Sequence, residues 1–299
     1  MKSNALRADI LLFITAAIWG VAFVAQRVGM DNVGPFTFNG VRFALGGLVL
    51  LPLALKRSNL PPLPHTLEKK RISLWLASIL AGVFLFGGAS LQQVGLLYTT
   101  AGKAGFITGL YVVLVPIGAF IFSKAKPGPG AVAGAGLAAL GLYFLSMNES
   151  FSLAFGDLLE LMCAVLFAGH VLIIGRLAPM VDPLRLAVGQ YMVCALLNLL
   201  VAGCVEPLAS QDILAAAIPI AYGGIMSVGI AYTLQVVAQQ HAKESHAAII
   251  LSLESVFAAL AGAIILHESL GLRELLGCSL MFAGFLVSQL WIKRNEAQT

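Results

Sequence analysis

Residues 246–285 read HAAIILSLESVFAALAGAIILHESLGLRELLGCSLMFAGF, and this stretch decides the class of the molecule. Between His246 and Leu266 every residue is apolar or small except Ser252, Glu254 and Ser255. A run of that length crosses a bilayer as a helix. It also places a carboxylate in the membrane: at ~1.5 Å rise per residue, Glu254 lies roughly 12 Å from the helix start, near the middle of a hydrocarbon core about 30 Å thick. An ionisable group at that depth is costly and is expected to face protein or a watery cavity. After a short polar break, HESLGLRE, a second apolar run begins, with Gly277 and Gly284 seven residues apart on one face. Small residues at that spacing let helices approach closely.

Working outward, the whole chain follows the same pattern. Of its 299 residues 59% are hydrophobic and 11% charged, against about a quarter charged in a soluble domain, and mean hydropathy is +0.93. Ten apolar runs can be marked, at 9–28, 35–55, 72–92, 104–123, 129–147, 157–175, 184–204, 215–236, 246–266 and 271–292. Runs of about twenty residues indicate helices and not a β-barrel. The net charge of +4 reflects loop bias, so no nucleic-acid partner is expected. Cys163, Cys194, Cys204 and Cys278 fall in or at the ends of apolar runs without a CxxC pair and read as small core residues. The first run is too long for a signal peptide and lacks a clear cleavage site, which makes it a permanent span. Lys56–Arg71, with three prolines and a charge cluster, is expected to be a surface loop.

Basic residues orient the chain. Setting aside Arg42 within the second run, fourteen of the other seventeen Lys and Arg fall on the side of the termini and three on the other, which predicts both termini cytoplasmic and an even number of spans. An internal repeat agrees. A shift of 148 places Asp9 on Asp157, Trp19 on Phe167, Pro35 on Pro183 and Arg42 on Gln190. A shift of 143 places Gln92 on Gln235, Tyr111 on Glu254, Gly134 on Gly277 and Gly141 on Gly284. Five spans per half is an odd number, so the second half enters the membrane inverted, as in secondary transporters with a site where the halves meet. The expected fold is therefore all-α, ten transmembrane helices as an inverted 5+5 repeat, with residues 1–147 as the first unit and 148–299 as the second.

Four pieces, AAIWGVAFV at 16–24, GPFTFNGVRFALGGLVLLPL at 34–53, YTTAGKAGFITGLYVVLVP at 98–116 and residues 246–284, resemble the EamA family of the drug/metabolite transporter superfamily. The resemblance covers nearly the whole chain as two tandem EamA-type repeats. It implies ten spans, termini inside, and export or uptake of small metabolites such as amino acids. One departure stands out: the position after the glutamate, usually proline in such sequences, is Ser255, so a straighter helix is expected there.

Polar and aromatic residues at depth are the site candidates. Glu254 and its repeat partner Tyr111 should lie at similar depth, either as a proton- or cation-binding carboxylate facing a phenol or as a Glu satisfied by a neighbouring helix. Arg42 either grips a substrate carboxylate or snorkels and braces a helix. Trp19 and Phe167 either line a cavity or pack the core. Gln92 and Gln235 need partners, in a cavity wall or an interhelical bridge. His170 is a core or cavity histidine, not a metal ligand. Glu160, at the start of the sixth run, is expected nearer the surface. Gly130 and Gly134 form a GxxxG that serves dimerisation or packing within the chain. The sequon at Asn148 lies in too short a loop to matter. His267-Glu268 has no second histidine, and no Walker-type loop or catalytic constellation is present. No metal or cofactor is expected.

The leading function is a secondary transporter of the cytoplasmic (inner) membrane. It would move a small-molecule substrate, an amino acid or related compound, outward by alternating access with proton coupling, as a monomer or homodimer in the lipid bilayer. The alternative is a flippase for lipid-linked substrates or a membrane enzyme, whose polar groups would gather at a membrane face. Here they lie at depth.

Overall fold

The computed structural model describes residues 2–56, 72–99, 101–124, 127–146, 155–207, 210–265 and 271–296. Most of the expected Lys56–Arg71 loop, the sequon and His267-Glu268 lie outside them. Ten helices account for the apolar runs, and the protein is a multi-pass membrane protein. They are α1 (Lys2–Gly29), α2 (Pro35–Lys56), α3 (Leu74–Gly95), α4 in two parts (Ala101–Gly109 and Tyr111–Ser123) and α5 (Pro129–Ser146). The second half holds α6 (Phe155–Leu177), α7 (Pro183–Val205), α8 (Ala217–Ala238), α9 in two parts (Glu244–Leu251 and Glu254–Ile265) and α10 (Leu272–Glu296). A short helix, Ser210–Ala215, precedes α8. Among the described residues eight helices are long and apolar enough to cross a membrane, and two shorter apolar ones, within α4 and α5, complete the set.

The outward faces are greasy. Trp75, Phe122, Ile218 and Leu272 are each more than three-quarters exposed (81%, 79%, 84% and 88%), a surface that only lipid would cover without cost. Helix starts carry local signals. Proline stands at the first position of α2, α5 and α7, where its missing N–H costs nothing. Asp182 caps α7 by accepting from Leu184 N and Arg185 N. The repeat partner of Asp182 is Gly34, which has no side chain to do the same. Glu206, at the end of α7, supplies the carboxylate instead, accepting from Phe36 N and Thr37 N at 2.8 Å and from the Thr37 hydroxyl at 2.6 Å.

The packing is two-fold. The pairs α2–α7 and α5–α10 map onto themselves when the halves exchange, while α3–α6 exchanges with α8–α1 and α4–α6 with α9–α1; all these contacts are present. The α5–α10 seam shows the axis in detail. A Cβ on Gly134 would lie 2.8 Å from Gly284 O, one on Gly284 2.6 Å from Gly134 O, and one on Gly141 2.6 Å from Gly277 O. Exchanging 134 with 277 and 141 with 284 turns one contact into the other. Gly130 meets Trp291, so the GxxxG is occupied within the chain.

Both halves also break a helix at the same place. Leu110 N bonds Ile107 O (3.2 Å) and its repeat partner Leu253 N bonds Ile250 O (3.1 Å), each a tightened turn where the α-helical pattern lapses. The straighter helix expected from Ser255 is thus not formed. Serine hydroxyls stand at the break in place of proline: Ser252 Oγ donates to Ile249 O of its own helix, competing with the regular ladder, and Ser255 Oγ reaches across to Gly105 O of α4. Tyr111 and Glu254 each open the segment that follows.

Candidate functional site

All seven candidate residues, Trp19, Arg42, Gln92, Tyr111, His170, Gln235 and Glu254, line one cavity between the halves. They come from α1, α2, α3, α4, α6, α8 and α9. Its volume is about 40 Å³, enough for a few waters and too small for a metabolite, so its own side chains fill most of the site. Phe167, the repeat partner of Trp19, lines it too, with Phe23, Gln26, Ser227 and Tyr232.

At one side Tyr111 Oη donates to Glu254 Oε1 at 3.0 Å. At another lies Arg42, only 2% exposed, which rules out snorkelling to either surface. Its Nε donates to Asn39 Oδ1 at 2.9 Å, and its guanidinium carbon lies 5.5 and 5.0 Å from the ring centres of Phe38 and Phe43. Stacking between rings orients the fork. Among the described residues no carboxylate forms an ion pair with it, so the cavity contains a cation and a carboxylate that do not neutralise each other directly.

Tyr232 lines the same cavity as both, and its ring centre is 5.9 Å from that of Phe43, one of the rings beside Arg42. Its ring centre is 4.4 Å from that of Trp19, and it meets His170 edge-on at 6.1 Å. The repeat search missed Tyr232 because its partner position is Ala89. The signal that was available is local: Gly223, Gly224 and Gly229 punctuate α8, and residues Tyr222–Tyr232 form a π-helical stretch, a form often found at functional sites. Donors from α1 meet its carbonyls, Thr15 Oγ1 to Ala231 O at 3.1 Å and Trp19 Nε1 to Ser227 O at 3.3 Å. Trp19 therefore both lines the cavity and fastens α1 to α8.

The remaining candidates are partly satisfied. His170 Nε2 pairs with Gln190 Oε1 at 2.9 Å, which joins the repeat partner of Arg42 to the cavity wall. Gln235 Nε2 donates to Gln239 Oε1 on its own helix, while Gln235 Oε1 and Gln26 Oε1 are buried without a partner. Neither glutamine bridges helices by these atoms; both have bonding capacity left for a ligand. Glu160 stands near the start of α6, five residues after Phe155. It is fully buried, because α3 and α4 cover this part of α6: Gly95 sits against its carboxylate and Thr108 Oγ1 donates to its Oε2 at 2.8 Å. Burial depends on neighbouring helices, and position along α6 does not report it.

A larger groove, about 580 Å³ and mostly apolar, lies between α3, α4 and α6, near Arg176 and Glu244. None of the seven candidates lines it. At the repeat-related place Phe257 of α9 packs against Gly20 of α1, with a Cβ on Gly20 only 2.3 Å from the Phe257 Cβ. The corresponding residues, Leu114 and Ala168, instead border the groove.

Comparison with known proteins is consistent along the whole chain. The profile of the EamA-like transporter family matches residues 6–147 and again 154–289. An uncharacterized transporter of Archaeoglobus fulgidus is 34% identical over 286 residues, covering 95% of this chain and 86% of the relative. The uncharacterized transporter YoaV of Bacillus subtilis is 22% identical over 93% of this chain and 95% of its own. A crystal structure with 20% identity superposes with a TM-score of 0.79 over 97% of this chain and 98% of that one, which speaks for the fold alone.

Proposed function

We propose that this chain, which belongs to the EamA-like transporter family and is a membrane transporter, carries a small zwitterionic metabolite, an amino acid or close relative, outward by alternating access. The observation that carries the reading is the pairing within one cavity of an Arg42 fork lacking a carboxylate partner among the described residues with the Glu254 carboxylate. A guanidinium fork binds a carboxylate by two parallel bonds, a carboxylate binds an ammonium, and Trp19, Phe167 and Tyr232 offer apolar walls to a side chain. A zwitterion satisfies all three.

Two further observations support alternating access. The cavity lies where the halves meet and, at about 40 Å³, is too small for a metabolite as it stands, and the helices of the two halves pack in a two-fold pattern. Exchanging the roles of the halves would open the cavity toward opposite faces in turn. We place the termini in the cytoplasm from the bias of basic residues. An inner-membrane location is supported by YedA of Escherichia coli, named an inner membrane transporter, which is 36% identical over 69 residues.

The test compares cells with and without the protein for resistance to, and efflux of, a panel of amino acids, sugars, nucleosides and cationic drugs. Efflux confined to compounds carrying both a carboxylate and an ammonium is expected. Efflux of cationic drugs or sugars alone would overturn the substrate reading. Glu254→Gln keeps shape but removes titration, so transport per inserted molecule should fall or lose its pH dependence; an unchanged profile would remove Glu254 from the mechanism.

A further inference from the structure

We propose that Glu160 is a second proton-carrying site, set on a one-sided path that joins the membrane face opposite the termini to Glu254. The proposal rests on the cavity reading of Glu254, but its own observations are separate. Along α6, Asp157, Glu160 and Cys163 recur every three residues on one face, which continues at Phe167 and His170 into the cavity. Asp157 Oδ1 accepts from Thr99 Oγ1 at 2.9 Å near the end of the helix. One turn deeper, Glu160 Oε2 accepts from Thr108 Oγ1, while Glu160 Oε1 is buried with no partner. Thr108 Oγ1 also lies 3.9 Å from Cys163 Sγ. Three residues after Thr108 on α4 comes Tyr111, whose hydroxyl donates to Glu254 Oε1 in the cavity.

The surroundings identify a proton as the ligand. Among the described residues the charged group beside Glu160 is Asp157 on its own helix, with the Cys163 thiol one turn on. From α3 it meets Gly95 and from α4 the neutral hydroxyl of Thr108. Among the described residues no cation stands beside the Glu160 carboxylate, and one unpartnered oxygen with one hydroxyl is too few ligands for a metal ion, which takes six or so oxygens when hard. A neutral acid needs only its own proton. In the relay, the Glu160 O–H bond breaks as that proton passes inward to form an O–H bond on the Glu254 carboxylate, and a proton entering at the Asp157 end re-forms the O–H of Glu160; one proton moves from the membrane face to the cavity and no group is oxidised.

The repeat shows why the path is one-sided. Asp157 has a partner in Asp9, which lies 3.0 Å from His246 at the face of the termini. The next positions differ: Glu160 corresponds to Leu12 and Thr108 to Leu251, both fully buried in one apolar cluster. The polar line thus begins in both halves and continues inward in one.

The test has two arms in lipid. Infrared spectroscopy of the parent protein, which needs no substrate, should show carboxylic-acid carbonyl bands, one lost in Glu160→Gln and a different one lost in Glu254→Gln. If Glu160→Gln fails to insert, Glu160→Asp serves, since it keeps the acid and shifts its band. In proteoliposomes, an equimolar mixture of radiolabelled neutral L-amino acids is the probe. Glu160→Gln should lower pH-gradient-driven uptake by about tenfold or more while leaving substrate exchange near the parent rate, with Glu160→Asp restoring uptake. Loss of driven uptake and exchange in equal proportion, absence of a Glu160 acid band, or uptake driven equally by a sodium gradient would each overturn the proposal. Failure of the cavity reading shows separately, as an unaltered Glu254→Gln profile or a probe that is not carried at all, with the Glu160 band still deciding whether that site holds a proton.

Discussion

Tyr111 and Glu254 occupy the same position in the two repeats, and they are hydrogen-bonded to each other at 3.0 Å. Each follows a broken turn whose tightened bond is also matched, Leu110 N to Ile107 O and Leu253 N to Ile250 O. The pseudo-symmetry axis therefore passes close to this bond. Any motion that exchanges the roles of the halves must move these two residues past each other or carry them together.

If that bond matters for transport, the two side chains act as one unit. Tyr111→Phe and Glu254→Gln should each lower transport per inserted molecule, and the double variant should be no worse than Glu254→Gln alone. A double-mutant cycle should give a coupling on the order of 1–2 kcal/mol; additive effects would show that the bond is incidental.

Arg42 should discriminate between a fork and a point charge. Arg42→Lys keeps the charge but loses the planar group stacked between Phe38 and Phe43, so KM for a carboxylate substrate should rise about tenfold with a smaller change in kcat. Saturation kinetics on vesicles read the split. An unchanged KM would return Arg42 to a bracing role.

The α5–α10 seam makes a stability prediction with an internal control. Gly284→Ala drives a Cβ against the backbone of Gly134 and Ala138, whereas Gly136 has nothing within 4 Å of its Cβ position. Gly284→Ala should cost about 2–3 kcal/mol, read as a lower melting point in detergent, and Gly136→Ala should stay within about 0.5 kcal/mol of the parent. Equal melting points for the two would contradict the close seam.

Glu206 holds the start of α2 from the other half. Glu206→Ala leaves two backbone N–H groups and the Thr37 hydroxyl without their acceptor, which should cost about 1–2 kcal/mol. Protease susceptibility between α1 and α2 should rise; Thr37→Val, which removes one bond, should have the smaller effect.

Orientation rests on the distribution of Lys and Arg. A reporter fused after Gln298 should report a cytoplasmic C-terminus, and a periplasmic signal would reverse the assignment of both faces.

Sequence alone determined the membrane class, the ten spans and the two repeats, because bilayer thickness sets the run length and the few polar residues inside such runs stand out against an apolar background. It also gave each polar residue a depth, and the seven selected on depth are found around one cavity. Tertiary structure decided direction. Lipid is as apolar as a helix interface, so a membrane helix carries little sign of which side faces its neighbours. That is why depth along α6 did not show Glu160 enclosed by Gly95 and Thr108, and why Arg42 turned from a snorkelling candidate into a buried guanidinium beside two rings. Tyr232 required the π-helical stretch of α8, and the groove between α3, α4 and α6 required the packed helices themselves. Those features arise from how helices pack against one another, which depth along a single helix does not encode.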